Sequence, residues 1–204
     1  SLQVHCNKRF GYSADNTLKL VQALYEKKVV TYPRVDTTYL PDDVYPKVAS
    51  TLKGLSNYAA LIQPLMSKPI RKTKRVFDDK KVTDHHAIIP TGQQLNLTGE
   101  EYKIYDAIVK RFIANFYPDC MVNNAMVIGE AGGIKFKATG KEIVDPGWRV
   151  VYQATPSGNT DDTTPAKSKD EKILPAFVQG ESGPHEPSLV EKQTQPPKYY
   201  TEAT

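Results

Sequence analysis

The segment Thr31-Tyr32-Pro33-Arg34-Val35-Asp36 places a phenol, a fixed backbone bend, a guanidinium and a carboxylate almost side by side. A tyrosine oxygen attacks phosphorus only if its phenol, of ordinary pKa about 10, gives up its proton while the phosphate is held in line. Arg34 suits the second task, because its planar fork can grip two phosphate oxygens and its permanent charge favours the phenolate. Pro33 fixes its own φ and biases Tyr32 toward extended backbone, which places Tyr32 and Arg34 on the same side of the chain. The plain alternative is a short strand over Val29–Tyr32, with Tyr32 half-buried and Arg34 a solvated charge.

Further along, Thr83-Asp84-His85-His86-Ala87-Ile88-Ile89-Pro90-Thr91 sets two histidines beside an acid, followed by an apolar run that Pro90 ends. Histidine gives or takes a proton near neutral pH, so the pair fits phosphate or metal chemistry. It equally fits Asp84 capping a turn with one histidine exposed and the other in the core. Metal binding is the weaker reading, since adjacent residues seldom reach one ion together and no cysteine or third histidine stands at ligand spacing. Two functional alternatives remain open beside phosphodiester transfer at Tyr32. One is an Asp-His-His phosphoesterase holding manganese through Asp84, His85 and His86; the other is a non-catalytic DNA-binding module.

Four stretches together resemble the type IA DNA topoisomerases, in the family's order: Phe10-Gly11-Tyr12-Ser13, the run Leu24–Lys28 leading into Tyr32-Pro33-Arg34 with Asp36 behind, Asp84–Thr91, and Thr194–Ala203. The Asp-His-His-Ala-Ile-Ile-Pro-Thr form is more similar to the bacterial topoisomerase III branch than to the topoisomerase I branch. The resemblance implies that Tyr32 attacks single-stranded DNA and stays joined to its 5′ phosphate. It further implies that Arg34 holds the scissile phosphate, that His85 contacts DNA phosphate near the cut, and that Asp36 orients its neighbours. Val35 and Thr38 depart from the family's frequent Thr and Arg, which predicts a different grip on DNA around the motif. The Toprim domain of such enzymes, with its acidic magnesium site, has no counterpart here and no Asp-x-Asp pair occurs. The chain therefore reads as an internal fragment, inactive alone, with magnesium required by the full-length enzyme but no metal site or cofactor in this part.

Composition is that of an ordinary globular chain, with 39% hydrophobic and 25% charged residues, which excludes a disordered protein. A net charge of +4 suits a polyanionic partner without singling one out. Local charge says more, because Lys68, Arg71, Lys72, Lys74, Arg75, Lys80 and Lys81 face only Asp78 and Asp79 just before His85. That strip is either a solvated loop or a set of DNA phosphate contacts. Cys6 and Cys120 match no zinc or redox spacing and read as reduced thiols of a cytoplasmic protein. No apolar run approaches membrane-spanning length, and a monomer acting on single-stranded DNA is expected.

The elements that must position these groups follow from periodicity. Ser13 caps a helix to about Lys28 with Ala14, Leu18, Val21 and Tyr25 on one face; a second helix covers Leu40–Leu55, with Pro46 tolerable only in its first turn. Thr98–Phe116 is the strongest helix, opened by a Thr98–Glu101 capping box and striped with core aromatics. Past Pro118 the pattern alternates, predicting strands at Met121–Ile128, Ile134–Ala138 and Trp148–Tyr152 with turns at Gly132-Gly133 and Pro146-Gly147. The expected fold is α+β: residues 1–118 a helical domain carrying the tyrosine, 119–192 part of a β-rich arch with a mobile loop over 157–172, and 193–204 the start of a following domain.

Overall fold

A computed structural model describes residues 1–153, 171–184, 186, 188–197 and 199–201. The expected mobile loop lies outside the described residues over 157–170, as do Lys198, Glu202 and Ala203 of the C-terminal motif. The chain is α+β, with six α-helices and a two-stranded antiparallel sheet among the described residues. It divides into two units, each described by itself.

The first unit holds Ser1–Pro118 and the helical turn after Trp148. Helix α1 (Leu2–Phe10) has no counterpart in the periodicity reading; Ser1 caps it, and Gly11 ends it in the left-handed region at φ 71°. Helix α2 (Ala14–Glu26) begins where Ser13 accepts a hydrogen bond from the Asn16 amide. Its buried stripe is Thr17, Val21 and Leu24, rotated from the expected face, so that Tyr25 lies at the exposed edge.

At the C-terminus of α2 the amide of Lys28 donates to Tyr25 O (2.8 Å) and that of Val29 to Leu24 O (3.1 Å). These are the two bonds of a Schellman closure, with Lys28 at φ 59° where glycine is usual. A left-handed non-glycine residue costs roughly 1 kcal/mol. Burial of Val29 and Val30 directly behind it offsets that cost.

Asp42–Val44 forms one 3₁₀ turn, so the expected helix over 40–55 is shorter: α3 is Tyr45–Gly54, with Pro46 in its first turn as its missing N–H requires. A 3₁₀ turn at Ser56–Tyr58 leads into α4 (Ala59–Met66). Helix α5 (Gly99–Ala114) buries Ile104, Ile108, Val109, Phe112 and Ile113 against α2, making the aromatics of that stripe core residues. Its capping box is half made. The Thr98 hydroxyl does not cap the helix, yet the Glu101 carboxylate accepts the Thr98 backbone N–H and is gripped by Lys27 Nζ of α2 at 2.6 Å.

The residues expected as a third strand, Trp148–Tyr152, are helical instead: a 3₁₀ turn at Gly147–Arg149 and the single turn α6 (Val150–Gln153). Trp148 N–H donates to Pro118 O, and Val151 is fully buried beside α5, so core packing overrides the β-branched run.

The second unit is built on a hairpin, β1 (Met121–Ala131) and β2 (Ile134–Asp145), longer than the expected strands. Gly132 (φ 58°) and Gly133 (φ 82°) form its tight turn, as the pair requires. Glu171 and Lys172, assigned from sequence to the mobile loop, are tied to β2. Lys141 and Lys172 exchange backbone hydrogen bonds, and the Ile143 amide donates to the Glu171 carboxylate. No helix among the described residues is long and apolar enough to cross a membrane.

Candidate active site

The Schellman turn aims the chain so that Val29 and Val30 enter the core and Thr31-Tyr32 emerge at its edge. There they meet the histidine segment. Thr31 N–H donates to Ile89 O (2.9 Å) and Thr91 N–H to Val29 O (3.0 Å), an antiparallel bridge centred on Val30 and Pro90. The Thr31 side chain makes the join two-sided, accepting from the Ile89 amide at 3.0 Å and donating to Ala87 O at 3.4 Å. Ala87 N–H donates in turn to Tyr39 O (2.9 Å), which fixes the far end of the tyrosine loop.

The join brings the rings of Tyr32 and His85 to 4.6 Å between centroids at 45°. Tyr25, turned outward by the register of α2, meets the other side of Tyr32 edge-on at 5.4 Å. The phenol is half-buried between an imidazole and a second phenol, and Pro33 beneath it is buried.

Tyr32, His85 and His86 line a cleft of about 480 Å³ together with Asp43, Val44 and Lys47 around the start of α3 and with Asp79 and Asp84. His86 Nδ1 is 2.7 Å from Ala87 O, a contact that holds its ring. Arg34 and Asp36 are exposed and do not line the cleft; they follow Tyr32 along the outside of the loop. The structure thus joins Tyr32 to His85 and leaves the other two members of the set beside them.

Thr37 and Tyr39 complete the loop. Thr37 Oγ1 donates to Lys81 O (2.7 Å), and Lys81 Nζ donates to the Tyr39 hydroxyl (2.9 Å) while lying over its ring. That hydroxyl, with smaller help from the Tyr39 and Asp78 charges, raises the Lys81 ammonium above its ordinary pKa.

All seven residues of the basic strip are exposed, but none lines the cleft. Val76 and Phe77, in the middle of the run, are buried and pair with Leu40, so the strip wraps the core instead of hanging as a loop. Lys72 is held by Asp42 at 3.0 Å and Lys81 by Tyr39. Sequence reasoning missed Tyr25, Lys47, Asp43 and Asp79 as neighbours of the tyrosine. Only the helix registers of α2 and α3 hint at the first two.

The family model described as DNA topoisomerase matches residues 1–204. The chain belongs to the type IA DNA topoisomerases. It is 37% identical to DNA topoisomerase 3 of Bacillus subtilis strain 168 over 214 residues, covering 100% of this chain and 28% of that protein. It is 39% identical to DNA topoisomerase 3 of Bacillus anthracis over 187 residues, covering 89% of this chain and 25% of that one. The chain thus spans about a quarter of the length of these relatives. Full-length topoisomerase I from Thermotoga maritima shares the fold, with a TM-score of 0.57 at 22% identity over 88% of this chain and 28% of that one. These relatives disfavour an Asp-His-His phosphoesterase.

Among the described residues, no three His, Cys, Asp or Glu side chains gather in a way that would hold a metal ion. The Asp79 carboxylate, in the cleft lining, accepts the Asp42 amide at 2.8 Å.

Proposed function

We propose that this chain carries the nucleophile with which a type IA topoisomerase cleaves and reseals single-stranded DNA. Tyr32 Oη loses its proton as it bonds to phosphorus, the bond from phosphorus to the 3′ oxygen breaks, and that oxygen leaves as the 3′ hydroxyl. The 5′ phosphate remains on Tyr32. Reversal of the same step reseals the strand; the phosphodiester is exchanged and not hydrolysed, so no nucleotide cofactor is needed. The observation that carries this reading is the packing of the Tyr32 phenol on the His85 ring at the mouth of a cleft of about 480 Å³, within the size range of small-ligand pockets.

His85 supplies a donor to the phosphate beside the phenol, Arg34 a bidentate grip from the outer side of the loop, and Asp36 an orienting acceptor. The exposed strip of Lys68, Arg71, Lys72, Lys74, Arg75, Lys80 and Lys81 serves DNA outside the cleft. In this reading magnesium belongs to another part of the intact enzyme. The chain alone is inactive, and the whole works as a monomer in the cytoplasm, swinging residues 1–118, with the helical turn after Trp148 that packs on α5, away from the β-rich arch formed by the rest of 119–192 to pass a strand; residues 193–204 begin the next domain.

Tyr32→Phe tests the assignment in the intact enzyme. Removing the oxygen while keeping the ring on His85 should abolish strand cleavage and leave DNA binding within about twofold, a difference too small to reflect a lost charged contact. A covalent 5′ adduct mapped to another tyrosine, Tyr39 or Tyr25, would overturn it.

A further inference from the structure

We infer that Lys47 is the cation that holds a DNA phosphate inside the cleft that Tyr32 lines, a role that rests on the nucleophile assignment above. Lys47 is the sole lysine or arginine among the described residues lining the cleft. The basic strip does not reach the cleft, and Arg34 stands outside it. A phosphodiester backbone that enters the cleft beside His85 therefore meets one permanent positive charge among the described lining residues.

That charge is free and its base is rigid. Among the described residues, no carboxylate lies within ion-pair distance of Lys47 Nζ, although Asp43 is four residues before it, and the side chain makes no hydrogen bond. Contrast Lys72, neutralised by Asp42, and Lys110, by Asp106 at 2.9 Å. The turn beneath Lys47 is held by Pro46, by buried Val48, and by the Tyr45 hydroxyl donating to Ile70 O at 2.6 Å. Because that turn is already fixed, taking a phosphate orders only the exposed lysine side chain and no backbone. Asp43, Asp79 and Asp84 share the lining and repel phosphate elsewhere in the cleft, which leaves Lys47 as the place for it.

The test uses the intact enzyme and a single-stranded oligonucleotide, with affinity measured across a salt series. Lys47→Ala should reduce the slope of log affinity against log salt by about 0.7, the value of one phosphate contact to single-stranded DNA. Across a fourfold rise in salt the variant then loses about 2.6-fold less affinity than wild type. Lys47→Arg should restore the slope. Lys53→Ala, the same charge change on α3 but away from the cleft, should move it far less.

An unchanged slope for Lys47→Ala, or an equal change for Lys53→Ala, overturns the role of Lys47 while leaving Tyr32 untouched. Cleavage that survives Tyr32→Phe overturns the reading beneath it whatever Lys47 does. Circular dichroism melting of Lys47→Ala should match wild type, and if it does not, the slope of Lys47→Arg decides.

Discussion

Gly54 closes α3 where steric and conformational arguments give opposite signs for one substitution. On helix propensity alone, Gly54→Ala should stabilise the chain by about 1 kcal/mol. The structure forbids that gain. A Cβ at Gly54 would stand 2.8 Å from Gly92 Cα and 2.9 Å from Gly92 C, closer still to the Gly92 carbonyl oxygen, all of them backbone atoms unable to rotate away. Gly92 is itself fixed at φ 86° against the Thr51 backbone, and the Gly54 carbonyl accepts from Gln94 Nε2 at 2.7 Å. Making room costs about 1–3 kcal/mol of overpacking and about 1 kcal/mol for the strained hydrogen bond, which together exceed the propensity gain. Net destabilisation of about 1–3 kcal/mol is expected by urea unfolding. Gly99→Ala is the control, because a Cβ there meets nothing within 4 Å and no stability should be lost. Gly54→Ala as stable as wild type or more so would show that the Gly54–Gly92 approach is not fixed, and with it the join between α3 and the segment that carries His85.

Thr31→Val keeps the shape of the side chain but strips the Ile89 amide of its acceptor, and should cost about 1–2 kcal/mol with faster hydrogen exchange at Ile89; protection at Ile89 equal to wild type would refute the tie. Glu101 has its pKa lowered from 4.5, first by the Lys27 hydrogen bond, so its contribution is fully present above that value and is lost as pH falls through the depressed folded pKa. Glu101→Gln should therefore melt below wild type at pH 7, with the gap closing under acid conditions; a gap that widens on acidification contradicts the sign.

How far the site could be read in advance depended on which contacts are local. The spacing of Tyr32, Pro33 and Arg34 and the Asp84-His85-His86 run are local, and both were legible. What joins them is Thr31, whose side chain bonds to Ala87 and Ile89, and a bridge at Val30 and Pro90 that no periodicity announces. The helices with full apolar stripes, α2 and α5, stood out, and α1, whose few apolar residues leave Cys6 as its one buried residue, did not. Trp148–Tyr152 misled because a short apolar run does not distinguish a strand from a helical turn until burial of Val151 decides it.

The more telling misses are Tyr25 and Lys47, because each is a matter of rotation and not of type. Four apolar positions placed Tyr25 on the core face of α2. Packing against α5 chose Thr17, Val21 and Leu24 instead, and that small turn of the helix is what carries Tyr25 to the edge of the Tyr32 ring. Lys47 looks like any lysine on a helix until Pro46 sets where α3 begins and Leu40, paired with Val76 and Phe77, sets where that beginning sits. A cleft whose walls come from separate segments has no signature in any one of them. The dense basic strip advertises charge by its composition, yet the one lysine or arginine among the described residues lining the cleft lies outside it, where only the fold distinguishes it from its neighbours.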